Sequence, residues 1–493
     1  MRSLFWGMTH SVAGSRTDEP RCTRFDGGTL NFHPRRLDSQ PMPPARSFSR
    51  LPGFRDFVPG DLALRNHIFD TWRRVSRGYG FMEYDGPPLE PLDLYIEKSG
   101  PEIVEQLYSF DDKGGRQITL RPEMTPTLAR ILAGRSRGMP KPIRWFSMPQ
   151  LFRYERSQRG RLREHFQLNV DIVGDAGVAA DAEVLAVAID AVRGLGLGDD
   201  DFVARVNDRR LVAEVLAAAG VDADGHAACL GVIDKAGRAG VAKTRIGLEA
   251  LGLDESAVAT LTELVADGSW EQLGRRFRDV TPVREAMEPL EEHAAILGAM
   301  GLGDYLHFDF TVVRGLAYYT GIVFELFDRA GELRAICGGG RYDRLLELVG
   351  GEPLPAVGFG MGDVVLGELL RDMGLVPDAT PSCDYHVIWV GPEQRALGLR
   401  ASHRLRAAGY SVMYSLRTQG VGRQLKEASR NGAARAVIIG PSEAAAGSAT
   451  VRDLTTGRQE VVPLDALTAS VQASSGGSQA EPPGPPSPGG DRT

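Results

Sequence analysis

The sequence predicts an α+β fold: an antiparallel-sheet core, a helical insertion within it, and a compact α/β module near the C-terminal end. Three observations carry this expectation. Strand-like runs dominate up to about residue 175 and return with YLHFDFTVVRG and TGIVFELFD. Between about 210 and 300 the text changes to Ala-, Leu- and Glu-rich helical periods broken by Gly and Asp. Beyond a Pro/Asp linker near 376–382, strand and helix alternate to about 467.

The elements follow in order. Residues 1–49 carry Pro, Ser and Arg without any period and read as a disordered extension. A targeting peptide and a mis-assigned start, with Met42 as the true beginning, both stay open; Asp18, Glu19, Asp26 and Asp38 speak against the former. Order is expected from LPGFRDFVPGD, with Asp61 capping a helix on which Leu64, Ile68, Trp72 and Val75 share a face, ended by Gly78. GFMEYDGPPLEP reads as a short strand closed by Pro87 and Pro88. ITLRPEMTPTLARIL gives a strand up to Arg121, then a helix with Thr125 as cap and Pro126 as first residue. The predicted divisions are a core in two parts, 50–209 and 303–376, around an insertion at 210–302, a module at 382–467 and a disordered tail at 468–493.

Composition narrows the function classes. The chain of 493 residues is 42% apolar and 25% charged, with no apolar run long enough for a membrane-spanning helix. Cys22, Cys229, Cys337 and Cys383 lie far apart with no CxxC pair. That argues against a disulfide framework or zinc site and suits a reducing cytoplasm, the expected location. Net charge is −7, yet nine Lys/Arg face three Asp/Glu between Asp384 and Gly440. The module is locally basic in an acidic protein. Walker-type GxxxxGK[ST], a strand-to-helix GxGxxG and HExxH are all absent, so any nucleotide is bound by other means.

The most telling stretch is RYERSQRGRLREHFQLNVDIVG, from Arg153 to Gly174. It reads as a hairpin with a basic loop. Alternation puts His165, Gln167, Asn169 and Asp171 on one face, and Phe166, Leu168, Val170 and Ile172 on the other. Arg153, Glu155, Arg156, Arg161 and Arg163 could cradle phosphate, or could be a solvated, salt-bridged hairpin. The graded strand tips the balance: cation at one end, amide in the middle, anion at the other. VVRGLAYYTG adds Arg314, Tyr318 and Tyr319, and GGGRYD is a glycine-rich bend that lets backbone approach a bound group.

Taken together, these segments resemble the histidyl-tRNA synthetases, a class II aminoacyl-tRNA synthetase family, over about 50–465. The first helix with GFMEYDGPPLEP looks like motif 1, with Pro87 at the dimer-interface proline, and the hairpin looks like motif 2. VRGLAYYTGIVFE and CGGGRYDRL look like the two histidine signatures, VGFGMGDVVL stands where motif 3 belongs, and the last module resembles the anticodon-binding domain. The resemblance implies ATP-dependent activation of L-histidine and its transfer to tRNA(His), by a homodimer using ATP with Mg2+ and no metal ligand from side chains.

Carried over residue by residue, it implies that Glu123, Thr125 and Gln167 hold the α-amino group. Asp171 and Tyr319 grip the imidazole, with Tyr318 beside them and Tyr342 lining the pocket. Arg153 and Arg314 become the catalytic arginines at the α-phosphate and carboxylate, Glu155 lies near adenine, and Arg417, Arg423, Lys426 and Arg430 meet the tRNA backbone.

Three departures stand out. Strand parity puts His165, not Phe166, on the ligand face, so His165 is expected to stack on adenine. Ala317 replaces the usual acid of the first signature. Val365 replaces the motif 3 arginine, leaving Arg161 or Arg163 to cover the γ-phosphate unless ATP binding is weakened. That last loss also suits a non-catalytic relative, the regulatory subunit of ATP phosphoribosyltransferase. Against it stand the full amino-acid set and the C-terminal module. A class II enzyme for another amino acid is disfavoured by RGLAYYTG with GGGRYD.

Overall fold

Residues 48–99, 101–156, 158–314, 318–378 and 382–468 are described by this computed structural model. The expected extension up to residue 47, Ala317 and the tail from 469 lie outside the described residues.

The first helix runs Pro59–Gly78, starting before Asp61. Proline takes the first turn, where a missing N–H leaves nothing unsatisfied, and Asp61 sits inside that turn rather than at the cap. Leu64, Ile68, Trp72 and Val75 are buried along one face as the spacing predicts. GFMEYDGPPLEP yields two short strands, Met82–Glu83 and Leu89–Pro91, because the prolines between them cannot donate to a ladder. Thr125 is the first residue of the Thr125–Ala133 helix, not its cap; Met124 holds the cap position.

Nine strands form the main sheet. Across it run Met82–Glu83, Ile143–Ser147, Glu164–Val173, Ala356–Gly362, Cys337–Arg341, Ile322–Asp328, Phe202–Asp208 and Leu306–Phe308, with Gln150–Phe152 pairing the start of Glu164–Val173. The inner pairings are antiparallel, and the two outermost pairs are parallel. Val178–Arg193 lies across one face, with Pro59–Gly78 and Thr281–Ala299 packed against it. Its Ala-rich sequence is apolar nearly all round, as befits a helix buried between a sheet and other helices. Leu168, Val170 and Ile172 point into this core, each contributing about 1.5–3 kcal/mol by burial. Parity sends their neighbours to the opposite face.

The predicted insertion is helical from Arg209–Ala218 to Thr281–Ala299. It has no separate core: Leu261, Leu264, Val283 and Leu297 belong to the same apolar cluster as the sheet. The C-terminal sheet orders Val412–Tyr414, Cys383–Trp389, Ala433–Ile439, Ser448–Asp453 and Gln459–Pro463, parallel in its first three strands and antiparallel beyond. Its own core gathers Tyr385, Val387, Leu405, Val437 and Ile439.

Candidate active site

Four glycines make the floor. Gly358 pairs with Gly340 and Gly360 with Gly338 across two adjacent antiparallel strands. A side chain on Gly358 would begin 2.1 Å from Asp171 Oδ1, and one on Gly360 would begin 2.7 Å from the Gln167 amide. One on Gly338 would begin 2.1 Å from Arg314 Nη1. Asp171, Gln167 and Arg314 therefore lie flat over backbone where any other residue would stand. Because Gly338 and Gly360 are partners, Arg314 and Gln167 occupy neighbouring places on this floor.

At the Asp171 end the site is enclosed. Tyr342 donates its hydroxyl to Asp171 Oδ1. Burial, and then the Asp171 carboxylate, push the Tyr342 phenol well above its ordinary pKa, keeping it a proton donor. Trp145 is the register partner of Asp171, and its ring stands 5.2 Å from that of Tyr84. Tyr318 meets Tyr319 at 4.6 Å and Tyr342 edge-on at 5.9 Å. A carboxylate set among four or five aromatic rings fits a flat, partly cationic heterocycle. Burial, Tyr319 and Glu123 all raise the Tyr318 phenol.

Arg314 carries the other side. Its guanidinium carbon lies 5.7 Å from the Tyr319 ring centre, and Nη1 donates to Glu325. Burial works against its charge, but Tyr319, Glu325 and Tyr318 outweigh that and raise its pKa overall. Arg153 comes in from the hairpin and donates Nε to Pro122 O at 3.0 Å, next to Glu123. Buried Arg121 fastens the same RPEMT loop, donating to Gly86 O at 2.7 Å and Gln150 O at 3.1 Å. Thr125 sits half-buried at the start of the helix that follows.

His165 is half-buried. Burial, then Arg153, Arg55 and Arg161, lower its pKa to about 3, so the ring is neutral. Phe166 packs away from it, 5.2 Å from Phe69 and 6.0 Å from Phe57. In the loop, Glu155 accepts a two-pronged contact from Arg161, and Arg163 lies 4.4 Å over the Tyr154 ring. Arg156 is exposed. Val365 is only 7% exposed, on the Asp363–Asp372 helix, where it faces Gly160 in the hairpin turn. That position packs; it binds no phosphate.

Several contributors were not foreseen. Arg55 joins two buried carboxylates, Glu164 at 2.7 Å and Asp363 at 2.8 Å, behind the hairpin. Arg341 has all five donors occupied, by both oxygens of Asp181, by Asp343 and by the carbonyls of Asp175 and Gly177. It thereby anchors the strand end that carries Tyr342. These residues come from segments far apart in sequence, so no local pattern flags them. Tyr84 was legible only as part of the motif 1 stretch.

In the C-terminal module Arg423, Lys426 and Arg430 lie exposed on the Val421–Arg430 helix, and Arg417 is exposed in the preceding loop. None has an acidic partner among the described residues. Also among the described residues, no group of three or more His, Cys, Asp or Glu could hold a metal ion.

A largely antiparallel sheet with one face floored by glycine and edged by arginines is the catalytic architecture of class II aminoacyl-tRNA synthetases. The Histidyl-tRNA synthetase family profile matches residues 53–362, and an Anticodon binding domain profile matches 384–474. Histidine–tRNA ligase of Opitutus terrae is 42% identical over 439 residues, 86% of this chain and 98% of that protein. The chloroplastic/mitochondrial histidine–tRNA ligase of Arabidopsis thaliana is 39% identical over 84% of this chain and 85% of its own. The crystal structure of histidyl-tRNA synthetase from Nostoc sp. PCC 7120 superposes with a TM-score of 0.74 at 26% identity, covering 87% of this chain and all of that one. The chain belongs to the histidyl-tRNA synthetase family.

Proposed function

We propose that the protein activates L-histidine with ATP to histidyl-adenylate and pyrophosphate, then passes the histidyl group to the 3′-terminal adenosine of tRNA(His). The Asp171–Tyr342 pair beside Arg314 on the glycine floor carries this reading. The Asp171 carboxylate and the Tyr319 phenol can pair with both nitrogens of an imidazole, and a side chain lacking them would leave buried polar groups unmatched. Glu123, Thr125 and Gln167 hold the α-amino group, with Tyr318 and Tyr319 closing the pocket.

In the first step a carboxylate oxygen of histidine attacks the α-phosphorus of ATP, and pyrophosphate leaves. Two anions approach, so Arg153 and Arg314 act by positioning and charge neutralisation, without a general base. Magnesium enters with ATP as part of the substrate. His165 stacks on adenine, and Glu155 accepts from its amino group. Once Glu155 is so engaged, Arg161 is released toward the γ-phosphate that Val365 cannot reach.

In this reading 50–209 and 303–376 form the catalytic core, 210–302 is its insertion, and 382–467 receives the tRNA through Arg417, Arg423, Lys426 and Arg430. Met82 and Leu89, on the short strands either side of Pro87, are exposed by 61% and 41%, which supports a homodimer through that stretch. Three buried free cysteines fit a cytoplasmic protein, and no helix among the described residues is long and apolar enough to cross a membrane.

Histidine-dependent ATP–pyrophosphate exchange followed by charging of tRNA(His) tests the whole. Exchange without charging would turn the reading toward a sensor or modified relative; neither would favour the regulatory-subunit alternative.

A further inference from the structure

Arg314 takes a backbone conformation that residues with side chains avoid, with φ at 56°. The left-handed region is strained for such a residue, so the surroundings must hold it there. The segment that Arg314 closes opens at Asp309. The Asp309 carboxylate accepts from the Thr311 backbone N–H at 2.9 Å and its hydroxyl at 2.7 Å. Asp309 also receives Arg205 Nη1 at 3.2 Å, which ties this end to the Phe202–Asp208 strand. At the other end Glu325, on the neighbouring Ile322–Asp328 strand, accepts from Arg314 Nη1. Glu325 and Arg205 are direct register partners. Charges alternate from Arg314 through Glu325 and Arg205 to Asp309, and the row returns to the segment it left.

Room for this arrangement comes from Gly338, the register partner of Glu325 on its other side. The Arg314 Nε is buried and makes no hydrogen bond among the described residues. A buried guanidinium N–H without a partner is costly unless a ligand takes it.

We propose that Glu325 is a positioning residue for Arg314, fixing its guanidinium over Gly338 so that the N–H groups not bound to Glu325 face the reacting carboxylate and phosphate. The proposal rests on the reading of Arg314 as catalytic. Glu325 acts through Arg314, and Asp309 with Arg205 anchors the base of the same segment. The carboxylate gives up part of the net positive charge at the site and supplies orientation in exchange, which for a charge-stabilising group matters more.

The test is a double-mutant cycle on histidine-dependent ATP–pyrophosphate exchange, with thermal unfolding as a check on folding. Glu325→Gln is expected to lower kcat by about 10- to 100-fold, the cost of slight misplacement, while KM for histidine and the unfolding midpoint stay close to the parent values. In an Arg314→Ala background the same change should cost less than about twofold more, since contacting groups couple rather than add. Asp309→Asn, loosening the opposite end, should give the same kcat-selective loss, likewise absorbed by Arg314→Ala; it serves if Glu325→Gln does not fold. An unchanged kcat in both single variants, or losses that add in the double variants, overturn the role of Glu325 while leaving Arg314 catalytic. An Arg314→Ala protein as active as the parent overturns the reading of Arg314 itself.

Discussion

The two ends of the Glu164–Val173 strand are built on opposite plans. Around Asp171 the walls are buried and half-buried rings, the carboxylate already has Tyr342, and the floor is bare backbone. Around Arg161 the chain is a half-exposed loop whose cation is paired with Glu155 from the same loop. A buried, partnered pocket discriminates, because a wrong occupant leaves polar groups unmatched. A half-exposed ion pair exchanges partners at little cost, because water screens both states. In the proposed reading, amino-acid choice falls to the rigid end and nucleotide capture to the adaptable one.

The contrast can be broken most sharply at Gly358. A methyl there would begin 2.1 Å from Asp171 Oδ1 and 2.7 Å from Val170 O, one of them backbone. Gly358→Ala is expected to cut kcat/KM for histidine by about 10³-fold or more, since Asp171 must leave its place. Pyrophosphate exchange on a variant shown by circular dichroism to be folded checks this, and near-normal activity would dismantle the glycine floor. Asp171→Asn comes next. It keeps the shape but loses the charge, for a loss of about 10²-fold in kcat/KM for histidine, with KM for ATP little changed. A comparable rise in both KM values would mean the two ends are not separate.

Arg161→Ala should matter less. Removing a half-exposed cation is expected to raise KM for ATP by about fivefold, near 1 kcal/mol, with histidine affinity untouched. An unchanged ATP dependence would remove Arg161 from the nucleotide site and leave Arg163 as the remaining cover for the γ-phosphate.

The smallest effect belongs to His165, between the two ends. Its folded pKa, about 3, lies below the ordinary histidine value of 6.5. The unfolded chain therefore binds a proton in that window while the folded one does not. Stability accordingly falls as pH drops below about 6.5 and goes on falling toward 3. His165→Phe, which keeps a stacking ring, should flatten this part of the urea-midpoint profile between pH 7 and 5. It should leave KM for ATP within about threefold, provided stacking is what the ring supplies. An identical pH profile in the variant would show that His165 titrates normally.

How much of this was legible in sequence depends on distance along the chain. The alternation of Glu164–Val173, the helical face of Leu64, Ile68, Trp72 and Val75, and the basic stripe on Val421–Arg430 are local periodicities, and they read directly. Helix starts were misplaced by one to three residues: Val58 and Met124 hold the caps in place of Asp61 and Thr125, because terminal boundaries depend on backbone geometry that residue type only biases. Arg55 with Glu164 and Asp363, Arg341 with Asp181, and Arg314 with Glu325 were invisible for another reason. Each joins strands or helices whose pairing only the sheet topology decides. Val365 was legible as a departure, but its packing against the Gly160 turn was not.

The floor glycines, Gly338 and Gly340 on Cys337–Arg341 and Gly358 and Gly360 on Ala356–Gly362, have one more consequence. A sheet ordinarily finishes its own surface with side chains; here that stretch is left to be finished by whatever lies on it. In the proposed reading the amino acid and nucleotide complete the protein's interior as though they were its own residues. A changed wall reshapes such a pocket, while the ground beneath it has no room for an added atom.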